Sequence, residues 1–265
     1  MRSSNEKRTI FIMGDVHGRI TRLQEHLQSA GLVDASFNWN GESAVLWFVG
    51  DYVDRGPAGA GVIKAIMRLQ NQARESGGQV GALIGNHDIL LLSAVRYRDT
   101  VSATTQQTYY ADWIDEGGNL QDLERLGAAE IDWLMALPAA ALVADTLLLH
   151  ADSLLYRSYG TSLEALNQAF HRLLADGSAQ AYNQLLDEFG QHRAFLGADG
   201  AAHLAEMLLR YGGSRLVHGH TPIMKITGAE PAAITAPYVY QDGKCINVDG
   251  GMYLGGPGFI YQLNQ

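Results

Sequence analysis

The sequence predicts an α/β protein with helices on both faces of a parallel sheet and a β-rich end. The order of elements in the first third carries this: strand, helix, strand, helix, strand, which favours parallel pairing. Apolar runs that read as buried strands carry it too, because each ends abruptly in a short polar cluster. A glycine count of 30 in 265 residues exceeds average usage and suits many short strand-to-loop turns.

The elements follow in order. Thr9 to Met13 is a buried strand ending in Gly14-Asp15-Val16-His17-Gly18. Thr21 to Ala30 has apolar or small residues at 20, 23, 27 and 30, a helical spacing, with Gly31 placed to terminate it. Residues 33–43 are polar and turn-rich. Ala44 to Val49 is the central strand and runs into Gly50-Asp51-Tyr52-Val53-Asp54-Arg55-Gly56. Gly61 to Arg74 is a helix with Val62, Ile63, Ile66 and Leu69 on one face, closed by Gly77-Gly78. Val80 to Ile84 is a third strand and ends in Gly85-Asn86-His87-Asp88. Ile89 to Val95 is helix-compatible, and residues 99–137 read as mostly helical. Leu142 to Leu149 is another apolar run, ending in His150-Ala151-Asp152. Residues 160–211 read as two or three helices. Leu216-Val217 leads into His218-Gly219-His220-Thr221-Pro222. The tail reads as short strands at Tyr238 to Gln241, Lys244 to Val248 and Phe259 to Leu263, with Asp242-Gly243 as a hairpin turn and Asp249-Gly250-Gly251 between the last two.

Composition narrows the function. With 47% hydrophobic and 18% charged residues, the chain suits one large soluble domain, or a core with an insertion. A net charge of −9 with no basic block argues against a nucleic acid polymer as partner and is compatible with basic peptide substrates. The single cysteine, Cys245, excludes an internal disulfide and a cysteine-based zinc site, and is expected to be a small buried hydrophobe. The polar start, Met1 to Arg8, and the short run after it do not make a secretory signal, and no stretch approaches a membrane span. The expectation is a cytoplasmic protein without a membrane partner.

The polar clusters carry the chemistry. In an open α/β sheet, sites form outside the carboxyl ends of the strands, so clusters at five such ends converge. Five of the 9 histidines fall in them, and His26, His171, His192 and His203 read as solvated helix residues. Asp, Asn and His form an oxygen/nitrogen donor set without sulfur, suited to Mn²⁺, Fe or Zn²⁺, with Ni²⁺ or Co²⁺ in vitro. There are enough donors for two ions, and Asp51 is the natural bridge.

These motifs, in this order, resemble those of the calcineurin-like metallophosphoesterases. Gly50 to Gly56 resembles the GDxVDRG motif of the PPP-type phosphoprotein phosphatases and of their bacterial relatives: the phage-type and Shewanella-like phosphatases and the symmetrical diadenosine tetraphosphatases. The resemblance frames residues 9–256. It implies a four-layer α/β/β/α sandwich, 1–265 as one domain, and helical cap-like insertions at about 97–140 and 153–212.

It also implies roles. Asp15, His17 and Asp51 would hold one metal, and Asp51, Asn86, His150 and His220 the other, with a bridging hydroxide attacking phosphorus. His87 would protonate the leaving oxygen, oriented by Asp54, and Arg55 would grip phosphate together with Asn86. His218 and Asp88 would support the site. Three departures stand out. Pro222 replaces the second histidine of the GHxH ending. Asp88 replaces the usual Glu, which predicts a rearranged or lost contact. The second phosphate-gripping arginine has no clear match; Arg193 is the candidate, with Arg157 and Arg210 as competitors.

The resemblance implies a phosphomonoesterase acting on phosphorylated Ser, Thr or Tyr in proteins or on a small phosphate ester, or else a dinucleoside polyphosphate hydrolase. A non-catalytic binding protein on this fold would have lost a ligand or the acid histidine, and none is missing. The aromatics Tyr109, Tyr110 and Trp113 either line a helical cap over the site or pack the insertion's own small core, and the second is expected.

Overall fold

A computed structural model describes residues 8–263; most of the polar start, residues 1–7, lies outside them. Strands β1 (Ile10–Met13), β2 (Val45–Phe48) and β3 (Gln79–Ala82) are linked by helices α1 (Ile20–Ser29) and α2 (Gly59–Glu75). Both pairings, β1 with β2 and β2 with β3, are parallel, as the alternating pattern requires. Helices α3 (Asn86–Tyr97), α4 (Tyr109–Asp115), α5 (Leu120–Arg125) and α6 (Ala128–Met135) follow, then β4 (Ala140–Val143) and β5 (Thr146–Leu149). Three longer helices, α7 (Leu163–Asp176), α8 (Ala179–Phe189) and α9 (Gly200–Tyr211), precede β6 (Arg215–His218) and the short α10 (Ile223–Thr227). Strands β7 (Tyr238–Tyr240), β8 (Cys245–Asn247) and β9 (Ile260–Leu263) close the chain.

The strands form two sheets, ordered β3-β2-β1-β9 and β4-β5-β6-β8-β7. Their inner faces share one apolar cluster, in which Ile10, Ile12 and Val45 from the first sheet meet Leu148, Val217 and Ile246 from the second. The alternate residues Met13, Leu46, Phe48, Leu147, Leu216 and Cys245 belong instead to the outer core shared with the helices. The inner strands β1, β2, β5, β6 and β8 are thus covered on both faces, which is why their sequences are continuous apolar runs, whereas the edge strand β7 leaves Val239 half exposed. The result is the four-layer α/β/β/α arrangement. Ile12 is fully buried, and truncating it to Ala would cost about 2–5 kcal/mol.

One expectation needs correcting. Leu142 to Leu149 is not a single strand but most of the antiparallel β4–β5 hairpin. Asp145 is the turn signal inside the run, and Ala144 before it takes a left-handed backbone, φ 51°. Gly31 terminates α1 at φ 71°, as expected. No helix among the described residues is long and apolar enough to cross a membrane.

Candidate metal centre

The inner strands β5, β6 and β8 are parallel to one another, as are β1, β2 and β3, so their polar ends cluster at one edge of the sandwich. Five of the residues singled out there have left-handed backbones: His17 (φ 44°), Asp51 (57°), Asp54 (64°), Arg55 (62°) and His220 (66°). Such conformations cost about 1–3 kcal/mol each and concentrate at functional sites. Close approach explains the glycine before Asn86. A Cβ on Gly85 would lie 2.2 Å from Asp51 Oδ1.

Lone pairs converge here. His150 Nδ1–H donates to the carbonyl of Val49 at 2.8 Å, which leaves Nε2 unprotonated in a neutral ring. That nitrogen sits 2.9 Å from Asn86 Oδ1 and 3.4 Å from Asp51 Oδ1. His220 Nδ1 is 2.8 Å from the same Asn86 oxygen and 3.3 Å from His150 Nε2. His17 repeats the design, with Nδ1–H donating to Val53 O at 2.9 Å and Nε2 lying 3.6 Å from Asp51 Oδ2. Burial keeps these imidazoles neutral. It lowers His150 and His220 and takes His17 down to about 3. Two groups of candidate ligand atoms result, each within 4.8 Å: His17, Asp51 and His87, and Asp51, His150 and His220. Acceptors aimed at acceptors in a buried site fit divalent cations, and Asp51 belongs to both groups.

His87 is placed differently from the other histidines. Its Nδ1 bonds Asp54 Oδ2 at 2.9 Å, and its backbone N–H donates to Asp51 Oδ1 at 2.9 Å. Burial pushes the Asp54 carboxyl up, and the bond to His87 pulls it down. Arg55 lies over the Tyr253 ring at 4.3 Å and reaches Glu116 at 3.4 Å. Asp51, Arg55, Asn86, His87, Arg193 and His220 all line one cavity of about 290 Å³.

Asp15 is buried and spends its carboxylate on the His220 backbone N–H, 3.1 Å from each oxygen. Asp88 has not lost its contact. It accepts N–H bonds from Asp51, Tyr52 and Gly85 at 3.0, 3.0 and 2.9 Å, because one carboxylate at the head of α3 reaches both turns. His218 turns away, bonding its neighbour Gly219's carbonyl and the Tyr240 hydroxyl. Arg193 lines the cavity, whereas Arg157 and Arg210 are both paired with Glu206.

Other expectations fail. Trp113 does not serve only the insertion's core; its indole N–H donates to Asp54 Oδ1. His192 is not a free surface group. Its Nδ1 bonds Thr221 Oγ1 at 2.8 Å and it lines the same cavity. His26 and His203 are tied to backbone carbonyls, and His171 has a buried Nε2 without a partner among the described residues. Asp249 and Tyr253 stand in the site with no sequence-level role. In the sequence Asp249 stands only as part of the Asp-Gly-Gly stretch between the last two strands, and Tyr253 carries no signal.

A model of the calcineurin-like phosphoesterase family matches residues 8–224. The chain belongs to that family. Shewanella-like protein phosphatase 2 of Arabidopsis thaliana is 30% identical over 114 residues, 43% of this chain and 29% of that protein. The symmetrical bis(5'-nucleosyl)-tetraphosphatase of Bordetella parapertussis is 33% identical over 148 residues, 55% of this chain and 44% of that protein. The matched stretch therefore spans less than half the length of either relative. Among solved structures, the cold-active protein-tyrosine phosphatase of a psychrophilic Shewanella species superposes with a TM-score of 0.72 at 23% identity, covering 97% of this chain and 76% of that one. At that identity the likeness speaks for the fold.

Proposed function

We propose that the protein is a metal-dependent phosphomonoesterase acting on phosphorylated Ser, Thr or Tyr side chains of proteins. The observation that carries the chemistry is the His87–Asp54 pair beside Arg55, facing the same cavity as the converging lone pairs. Asp15, His17 and Asp51 would hold one ion, and Asp51, Asn86, His150 and His220 the other, with Mn²⁺ proposed and Fe or Zn²⁺ sharing the donor preference. When bound, the ions supply Lewis-acid polarisation of the phosphoryl group and acidify water.

The chain's own residues do the rest. Arg55 forks onto phosphoryl oxygens and stabilises charge that builds in the transition state, with Arg193 as a second cation at the cavity wall. Asp54 holds the His87 ring by Nδ1, which leaves Nε2 to deliver a proton to the departing oxygen. Asp88 locks the two turns that carry Asp51 and His87. The helical segments at 97–140 and 153–212 act as a cap over the substrate.

The cap supports a peptide substrate. A second cavity of about 480 Å³ shares Asn86 and His220 with the first and is walled by Asp112, Asp115, Glu116 and Asp187. Carboxylates there suit a basic neighbour of a phosphorylated residue and oppose a polyphosphate chain. The tetraphosphatase relative keeps dinucleoside polyphosphate hydrolysis as the second reading.

The experiment strips the protein with EDTA, restores Mn²⁺, and compares p-nitrophenyl phosphate, a phosphoserine peptide with flanking lysines, a phosphotyrosine peptide and diadenosine tetraphosphate. Restored turnover of a phosphopeptide supports the proposal. Turnover of the dinucleotide alone would replace it with the second reading.

A further inference from the structure

The group formed by His17, Asp51 and His87 is poor in donors for a cation. His87 is committed to Asp54 through Nδ1, and Asp15 shares its oxygens with the His220 backbone N–H, so it brings only part of its donor capacity. Another carboxylate is buried in the same place. Asp249 follows β8, fully shielded from solvent. The ends of the two sheets meet tightly there, since a Cβ on Gly14 would fall 2.1 Å from the Val248 carbonyl and 3.2 Å from Asp249 Cα. Asp15, the next residue, and Asp249 are thereby brought together from opposite sheets.

The Asp249 backbone is locked. Its N–H donates to Asn247 Oδ1 at 2.8 Å, and its carbonyl accepts from the Ile223 N–H at 3.1 Å. Its Oδ1 accepts from the Gly251 N–H at 2.8 Å. Its Oδ2 is buried with no partner among the described residues. The nearby cation, Arg55, is stacked on Tyr253 and paired with Glu116. Buried carboxylates without compensation are expensive, and removing such a charge is often stabilising. A divalent ion is a compensator of the right chemistry, because carboxylate oxygen is among its preferred donors.

The geometry points to Asp249 as a further carboxylate of the cation site built on Asp15, His17 and Asp51, its free Oδ2 taken by the ion itself or by a water on that ion. The assignment rests on the two-cation reading of the site and adds a residue to it. It also accounts for an oxygen atom that the rest of the fold leaves without a partner.

The test compares wild type with Asp249→Asn, metal-free and after Mn²⁺ loading. Metal content is counted by mass spectrometry after gel filtration, affinity is measured by calorimetry, and melting temperature is read in both states. Wild type should retain about two Mn²⁺ per chain, and the variant should lose one of them, with affinity for it down about 10- to 100-fold. The metal-free variant should melt above metal-free wild type, because the uncompensated charge is gone, yet gain less on loading. A merely structural aspartate would do the reverse, lowering the metal-free melting temperature and leaving the gain intact. A variant that binds both ions with unchanged affinity would overturn the assignment. If wild type itself binds no cation, the two-cation reading falls instead. Should Asp249→Asn fail to fold, Asp249→Ala decides by the same metal count.

Discussion

Trp113 donates its indole N–H to Asp54 Oδ1 at 2.7 Å. Asp54 holds His87 with its other oxygen, so a helix remote in sequence clamps the pair that faces the substrate. Trp113→Phe removes the donor and keeps an aromatic ring at the position, at the cost of part of the packing of this fully buried side chain. It should cost about 1–3 kcal/mol of stability by leaving a buried carboxylate oxygen unpaired. Activity should fall roughly tenfold as His87 loses its orientation. Urea denaturation and steady-state kinetics check both, and unchanged kcat would show that the clamp has no catalytic role.

His87→Asn should retain the metals and lose about 10²–10⁴-fold in kcat on a phosphoserine peptide. The loss on p-nitrophenyl phosphate should be smaller, because p-nitrophenolate departs without a proton. His87 also lies within one of the two candidate ligand groups. Loss of metal in the variant would therefore make His87 a ligand and not the acid.

Arg55→Ala should reduce kcat/KM about 10- to 100-fold, the worth of a charged hydrogen bond. Glu116→Gln releases the partner that holds Arg55 at 3.4 Å. On p-nitrophenyl phosphate, which has no basic neighbour for Glu116 to meet, it should leave turnover near wild type, since the Glu116 side chain is mostly exposed and such pairs contribute ~0–1 kcal/mol. A collapse of activity in Glu116→Gln would show that the ion pair positions Arg55.

His192 is held by Thr221, whose hydroxyl donates to buried Asp152 at 2.6 Å. His192→Ala should lower kcat/KM roughly fivefold to tenfold with metal content unchanged. Thr221→Val should reproduce part of that loss, and the double variant should fall short of the sum. Full additivity would break the link between the two residues.

Burial and the surrounding charges push the Cys245 thiol up to about 12 from 9.0. The native state holds the proton more tightly than the unfolded chain, so this contribution to stability is complete below about pH 9 and is lost as pH rises toward 12. At pH 8 the native protein should not react with Ellman's reagent, and one thiol per chain should appear in denaturant. Rapid native labelling would contradict the buried position of Cys245.

The strand-end residues could be read from the sequence because their signal is local. Asp15 and His17, Asp51 to Arg55, and Asn86 to Asp88 each stand directly after an apolar run. A run of that kind forces a strand, and a strand's carboxyl end faces the site. His150 and His220 followed by the same logic, although the run before His150 turned out to hold a hairpin. The helices of residues 109–211 were legible as helices, but nothing in their periodicity said which faced the centre.

Sequence by itself thus determined the fold class and the candidate cation donors, since these depend on residues a few positions from a strand end, while the pairing of Asp54 with His87 came only from what the family resemblance implies. Tertiary structure alone decided that Trp113 reaches Asp54 across 59 residues, that His192 reaches Thr221 across 29, and that Asp249 comes up beside Gly14 from the opposite sheet. The physical reason is that hydrophobic periodicity tells which face of an element is buried, while the partner on that face is chosen by how the layers pack.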